Sequence, residues 1–158
     1  MPRRKAPTIK LHASYLGDVF DSATKLVTVM RSRLAEAKVE YDTLIGTGLS
    51  GSLIIPHMAR ALRKNFAIVR KPGSSHSTTR IEGTIGAGWL FVDDLIATGQ
   101  TFTRVHGLVN EIARDRAHTT ELRGAFLYFG ILDGTWRSQT SIEPGYKTPD
   151  FCRRRLVT

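Results

Sequence analysis

Apolar positions recur at two different spacings along the chain, which predicts a mixture of helices and strands. Between Ser14 and Val39 they return every three or four residues, the spacing of one buried helix face. Further helices are predicted over residues 52–63 and 101–114. The pattern therefore provides three helices that can cover a sheet.

Short and nearly continuous apolar runs lie between these helices and predict strands. They span residues 41–45, 65–69, 88–92 and 122–131, with a further edge strand expected at 8–12. Apolar runs that alternate with helices favour an α/β fold with a mainly parallel sheet flanked by helices. Ligands of such sheets bind beyond the carboxyl ends of the strands. Three polar or Gly-rich segments fall at those ends: residues 46–51, 70–80 and 93–101.

Length and composition indicate one globular domain. The chain has 158 residues, of which 41% are hydrophobic, enough for one core but not for a second catalytic domain. It has no apolar run of membrane-spanning length, and residues 1–10 lack the apolar core of a signal peptide. A lone cysteine, Cys152, is typical of a reducing compartment. We expect a cytoplasmic protein with no membrane partner.

The net charge of +9 indicates an anionic partner, either nucleic acid or a phosphorylated small molecule. Part of this charge lies in basic runs at residues 3–5 and 153–155. Such terminal runs are more typical of solvated tails than of binding sites. Charge alone does not choose between the two partners.

A glycine motif, G-x-G-x-x-G, spans Gly46 to Gly51 between a predicted strand and a predicted helix. Glycines allow close approach of a phosphate, and the following helix offers free N–H groups. A dinucleotide site would also need an acidic residue about 20 positions later, where the chain instead has Arg70 and Lys71. The motif predicts an anion loop, with an NADP domain as the weaker alternative.

A second motif spans residues 89–102 and places Asp93 and Asp94 after a buried strand. Carboxylates accept hydrogen bonds from sugar hydroxyls. The loop that follows carries Thr98 and Thr101 and opens a helix, which suits a phosphate monoester. The segment can therefore bind a ribose 5-phosphate. The alternative is that Asp94 or Thr98 only caps the next helix.

These residues resemble the type I phosphoribosyltransferases. The family's motif for 5-phosphoribosyl-1-pyrophosphate (PRPP) is an apolar run, two acidic residues and a Thr/Gly loop, as in residues 89–102. Residues 47–51 look like its pyrophosphate loop, and residues 70–82 like its basic pair and flexible catalytic lid. The resemblance implies the type I fold in a single domain, 1–158. Its core would cover about 40–131, with a small hood formed by the terminal segments.

The resemblance also implies site residues. The catalytic set would be Asp93, Asp94, Lys71 and His76. The 5-phosphate would be bound by Ala97, Thr98, Gly99, Gln100 and Thr101. The pyrophosphate would be bound by Thr47, Gly48, Leu49, Ser50, Gly51, Arg70 and Lys71. Mg²⁺ would be held through PRPP and water near the two aspartates, with no direct protein ligand.

The implied reaction transfers the phosphoribosyl group from PRPP to a nitrogenous base and releases pyrophosphate. Ala97 stands where hypoxanthine enzymes usually carry an acid, and the segment before Asp93 is shorter than in adenine enzymes. The lid resembles that of orotate enzymes, but Ser74 replaces their catalytic lysine. The acceptor base stays open, and the family's frequent dimers make a homodimer an expectation. The alternative function is a non-catalytic PRPP sensor or regulator that binds nucleic acid.

Overall fold

The computed structural model describes residues 17–36, 38–73, 78–94, 96, 98–128 and 135–138. The helices of this part of the chain are α1 (Gly17–Glu36), α2 (Gly48–Leu62) and α3 (Gln100–Asp115). Its strands are β1 (Thr43–Thr47), β2 (Asn65–Val69), β3 (Ile81–Gly83), β4 (Gly88–Asp93), β5 (Glu121–Leu127) and β6 (Thr135–Ser138). The predicted strand at 8–12 lies outside the described residues.

The strands form one sheet in the order β3-β2-β1-β4-β5-β6. β2, β1, β4 and β5 run parallel, while β3 and β6 are antiparallel additions at the two edges. The predicted α/β fold with a mainly parallel sheet is confirmed. From β1 the chain moves outward to β2, whereas from β4 it moves outward to β5 in the other direction. The carboxyl ends of β1 and β4 therefore flank the crevice where such sheets bind ligands.

Both faces of the sheet are covered, which explains the nearly continuous apolar strands. α1 and α2 pack on one face, where Leu90 and Val92 of β4 are buried. α3 packs on the other face, against Trp89 and Phe91 of the same strand. The end of β4 is therefore held between two cores and cannot shift without disturbing both. None of the described helices combines the length and apolar character that a membrane span requires.

Asp42 fixes the amino ends of β1 and β4 beside each other. Its carboxylate accepts hydrogen bonds from the N–H groups of Ala87 (2.8 Å) and Gly88 (3.2 Å) and from the Thr43 hydroxyl (2.6 Å). Burial alone would raise the pKa of Asp42, but these hydrogen bonds lower it below its ordinary value. This anchor sets the register of the two central strands, and thereby the position of their carboxyl ends.

Candidate active site at the carboxyl ends of β1 and β4

β1 and α2 meet without an intervening loop. β1 ends at Thr47 and α2 begins at Gly48, so the predicted helix start at residue 52 is four residues late. Gly48 has a φ of 67°, a left-handed conformation that favours glycine. Thr47 makes no side-chain capping bond, and the first turn of α2 has no acidic residue. The turn therefore presents its N–H groups, and the positive end of the helix, beyond β1.

The other two glycines of the motif are required by packing. A Cβ atom at Gly46 would lie 2.4 Å from Ile55 Cδ1 and 2.5 Å from the Val92 carbonyl oxygen. A Cβ atom at Gly51 would lie 3.2 Å from the Gly46 carbonyl carbon. Because glycine has no Cβ atom at these two positions, α2 and β1 can approach each other closely. The packing of strand against helix therefore accounts for these two glycines of the motif without a bound dinucleotide.

The predicted basic pair is divided between two environments. Lys71 lies against the first turn of α2. A Cβ atom added at Gly48 would be only 3.1 Å from its Cε and 3.4 Å from its Nζ. Arg70 forms an ion pair with Glu82 of β3, with its Nε 3.1 Å from Glu82 Oε1. The structure thus brings Lys71 to the predicted pyrophosphate loop and directs the Arg70 guanidinium toward β3.

Asp93 ends β4 at the crevice and is only 6% exposed. Its Oδ1 accepts hydrogen bonds from the Ser50 hydroxyl (2.8 Å) and the Asp94 N–H (2.9 Å). Burial, followed by the hydrogen bond and charge of Asp94, raises the pKa of Asp93 to about 8. Asp93 therefore contacts the first turn of α2, and its burial beside Asp94 favours the protonated carboxyl at this position.

The Thr/Gly loop forms the amino terminus of α3. Gly99 occupies the N-cap position with a φ of 82°, and the first turn of α3 has no acidic residue. The Thr98 hydroxyl accepts a hydrogen bond from the Gln100 N–H at 3.4 Å. Asp94 does not occupy the cap, so the capping interpretation does not account for it. Thr98 to Thr101 lie together at this helix end, and Ala97 lies outside the described residues.

Arg104 of α3 joins the ends of β1 and β2, although the sequence analysis predicts no role for it. Its Nη1 donates to the Arg70 carbonyl (3.0 Å) and its Nη2 to the Thr47 hydroxyl (3.1 Å). The Thr47 hydroxyl in turn donates to the Val69 carbonyl at 2.6 Å. The sequence signal for a role of Arg104 is its position near the amino terminus of a helix, because the helix dipole disfavours a cation there.

A cavity of about 450 Å³ lies between the two described arms of the lid and α3. The arms contribute residues 70–73 and 78–80, and α3 contributes Thr103, Arg104, Gly107, Leu108 and Glu111. Arg80 crosses the rim to pair with both carboxylate oxygens of Glu111, at 3.0 and 2.8 Å. Arg80 is thus tied to α3 by an ion pair. Ser74 and His76 lie outside the described residues.

Within the described ranges, no three His, Cys, Asp or Glu side chains converge as a metal centre. The Asp93 carboxylate contacts Ser50 in the first turn of α2, and Asp94 is the next residue of the chain. Two neighbouring carboxylates suit a cation that keeps water ligands and is also held by its phosphorylated substrate.

No family model matches the chain. Curated proteins do match it in sequence. The chain is 34% identical over 108 residues to the adenine phosphoribosyltransferase of Chlorobium luteolum, covering 53% of this chain and 61% of that protein. It is 29% identical over 100 residues to the enzyme of the same name from Chlorobium phaeovibrioides, covering 52% and 56%. The chain thus spans about three fifths of the length of these curated relatives.

Two solved structures share the fold. The adenine phosphoribosyltransferase of Saccharomyces cerevisiae, complexed with an imino-altritol bisphosphate and adenine, aligns with a TM-score of 0.52 at 23% identity. That alignment covers 86% of this chain and 74% of the yeast chain. Orotate phosphoribosyltransferase from Aeropyrum pernix aligns with a TM-score of 0.50 at 17% identity, covering 90% and 71%. The chain therefore has the type I phosphoribosyltransferase fold, as its motifs predicted, and over about half of its length it is similar in sequence to two adenine phosphoribosyltransferases.

Proposed function

We propose that the protein is a PRPP-dependent phosphoribosyltransferase, which forms a nucleotide from PRPP and a nitrogenous base and releases pyrophosphate. One observation carries the proposal: two helix amino termini meet the buried Asp93 and its neighbour Asp94 at the crevice between β1 and β4. PRPP has a phosphate group at one end, a pyrophosphate at the other and a diol between them. The crevice offers a complementary group to each part.

The first turn of α2 suits the pyrophosphate. Its N–H groups, from Gly48 to Gly51, are directed beyond β1, and the Lys71 ammonium lies against the same turn. Backbone donors and a cation placed at a leaving group stabilise the negative charge that develops there. Arg70 belongs to the same proposed set, and its guanidinium would exchange Glu82 for the pyrophosphate.

The other half of the site suits the ribose 5-phosphate. The amino terminus of α3, with the hydroxyls of Thr98 and Thr101, would bind the 5-phosphate. Gly99, Gln100 and Ala97 complete the proposed loop. Asp93 and Asp94 would accept hydrogen bonds from the ribose hydroxyls.

Asp93 also suits the charge that develops on the sugar. In the transfer, the bond from ribose C1 to the pyrophosphate oxygen breaks with its electron pair, and a ring nitrogen of the base bonds to C1 as its proton leaves to water. The ribose becomes cationic between these events. Positive charge near Asp93 would lower its raised pKa, so the carboxyl would release its proton to water and place an anion beside the cationic sugar.

Mg²⁺ is the proposed cofactor, and it would supply positive charge at the pyrophosphate when bound with PRPP. In this proposal, Asp93 and Asp94 would accept hydrogen bonds from its water ligands. Adenine is the first acceptor to test, because both curated relatives are named adenine phosphoribosyltransferases. The roles of His76 and the lid, the homodimer and the cytoplasmic location stay predictions.

The test is a calorimetric titration of the protein with PRPP and Mg²⁺, followed in the same cell by adenine, hypoxanthine, guanine, orotate and uracil. Pyrophosphate release with one base would identify the reaction. PRPP binding without turnover would favour the sensor, and a steep salt dependence of nucleic-acid affinity would support a regulator. Absence of PRPP binding would contradict both functions.

A further inference from the structure

Arg104 is held rigidly beside the proposed pyrophosphate site. Its neighbours in α3, Phe102 and Val105, are fully buried, so the helix backbone at this point cannot move independently of the core. Its guanidinium is half-buried and donates to the Thr47 hydroxyl and the Arg70 carbonyl. These two acceptors belong to β1 and to the residue after β2, which meet at the start of α2.

Both acceptors are neutral oxygens, so neither of them balances the positive charge of Arg104. The nearby carboxylates of Glu82 and Glu111 pair with Arg70 and Arg80 instead. Arg104 is also the fifth residue of α3, close to the positive end of that helix. A half-buried cation in such surroundings is costly unless an anion approaches it.

Positive charge is concentrated around one backbone segment. Arg104 contacts Thr47, Lys71 contacts Gly48, and the free N–H groups of α2 begin at the same place. We propose that Arg104 is a positioning residue of the pyrophosphate half of the site, which holds Thr47 and Arg70 in place and adds a fixed cation from α3. This inference rests on the proposed function, because it assigns the charge to a pyrophosphate ligand.

The proposal gives Arg104 two effects. It orients the Thr47 hydroxyl, which accepts from Arg104 while donating to the Val69 carbonyl, and so fixes the residue before the first turn of α2. It also supplies positive charge from a rigid helix, at a site where Ser74 replaces the lysine of orotate-type lids. The positive charge of Arg104 on α3 then stabilises the departing pyrophosphate, in addition to any charge that the lid supplies.

The test compares Arg104→Gln and Arg104→Lys with wild type, using Mg²⁺-pyrophosphate and ribose 5-phosphate as separate calorimetric probes. Arg104→Gln should weaken pyrophosphate binding about tenfold or more and change ribose 5-phosphate binding less than about twofold. Arg104→Lys keeps the charge but loses the planar fork, so its affinity should be intermediate. Arg114→Gln, in the exposed last turn of α3, removes the same charge from the same helix and should change neither affinity.

Two results would overturn the inference. Pyrophosphate affinity of Arg104→Gln equal to that of wild type would show that the cation is not part of the site. Equal loss of both affinities, with a lowered melting temperature in both Arg104 variants, would show a merely structural role. A wild-type protein that binds neither pyrophosphate nor PRPP would instead remove the proposed function, and this inference with it.

Discussion

The acidic centre of the site and its basic rim are built in different ways. The centre, Asp93 and the Ser50 hydroxyl that contacts it, lies at the end of a strand packed between two apolar cores. The rim consists of Arg70 and Arg80, whose side chains are 32% and 56% exposed and pair with Glu82 and Glu111. Packing fixes the centre, whereas surface ion pairs fix the rim.

The difference indicates which part can change when a ligand binds. An exposed ion pair contributes only about 0–1 kcal/mol, so an incoming phosphate can replace its carboxylate at small cost. Asp93 cannot move without displacing buried neighbours, and it responds by changing its protonation instead. A rigid acidic centre would recognise the sugar, and an exchangeable rim would close on the pyrophosphate.

The largest expected effect comes from removing the acidic centre. Asp93→Asn combined with Asp94→Asn should weaken PRPP binding by about 100-fold or more, because both carboxylate acceptors for the ribose hydroxyls are lost. The chain should stay folded, since both amides fill the same volumes. Calorimetry and a melting curve would measure the two properties. Asp115→Asn, at the exposed end of α3, is the control, and unchanged PRPP affinity in the double variant would refute the site.

Two glycine substitutions should separate the packed centre from the open rim. Gly46→Ala places a methyl group 2.4 Å from Ile55 Cδ1 and 2.5 Å from the Val92 carbonyl, and should lower the free energy of unfolding by about 2–3 kcal/mol. Gly107→Ala, on α3 beside the cavity, meets no atom within 4 Å. It should raise the free energy of unfolding by about 0.5–1 kcal/mol, because alanine favours helix. Denaturant unfolding of both would measure this, and equal effects would contradict the comparison.

The buried carboxyl should also make stability depend on pH. Folding raises the pKa of Asp93 to about 8, so the folded chain binds one more proton than the unfolded chain between about pH 4 and pH 8. The stabilisation that comes from this extra proton is complete below pH 4 and is lost as the pH rises through 8. Wild type should therefore lose at least about 1 kcal/mol of unfolding free energy between pH 5 and pH 9.

The matched variant for this pH effect is Asp93→Asn, which cannot titrate and should lack that part of the slope. Asp115→Asn should keep the wild-type slope. Denaturant unfolding at pH 5, 7 and 9 gives the three slopes. Identical slopes for Asp93→Asn and wild type would show that Asp93 is ionised throughout this range.

The smallest effect is expected at the rim. Glu111→Gln breaks the exposed Arg80 pair and should leave the free energy of unfolding nearly unchanged. Freed from Glu111, the Arg80 charge should raise PRPP affinity by about two- to threefold at low salt. Glu121→Gln breaks a similar exposed pair with Arg123, away from the cavity, and should leave PRPP affinity unchanged. A large fall in PRPP affinity for Glu111→Gln would mean that the ion pair itself builds the site.

The sequence predicted the elements whose pattern is local and strong. The strand at 65–69 was predicted with its observed bounds, and the one at 88–92 is one residue short of β4. β3 and β6 were not predicted, because three or four residues carry too little periodicity. Glycines suggested a loop at 46–51, but the first turn of a helix tolerates glycine and α2 begins at Gly48.

Features that depend on distant parts of the chain could not be predicted in this way. Arg104 meets Thr47 across 57 positions, and Arg80 meets Glu111 across 31. The protonation of Asp93 depends on how deeply both cores bury it, which no local pattern encodes. The motif could place Asp93 at a strand end, but its raised pKa follows only from the packed fold.

The antiparallel strands at the two edges of the described sheet have a consequence for solubility. An exposed strand edge can pair with the edge of another chain and start aggregation, and a long edge is the better template. Here the four parallel strands are bordered by β3, with three residues, and β6, with four. β3 thus covers residues 67–69 of β2, and β6 covers residues 124–127 of β5. Each short edge strand offers another chain only a few backbone partners. This arrangement lets a strongly apolar parallel sheet avoid intermolecular β-pairing.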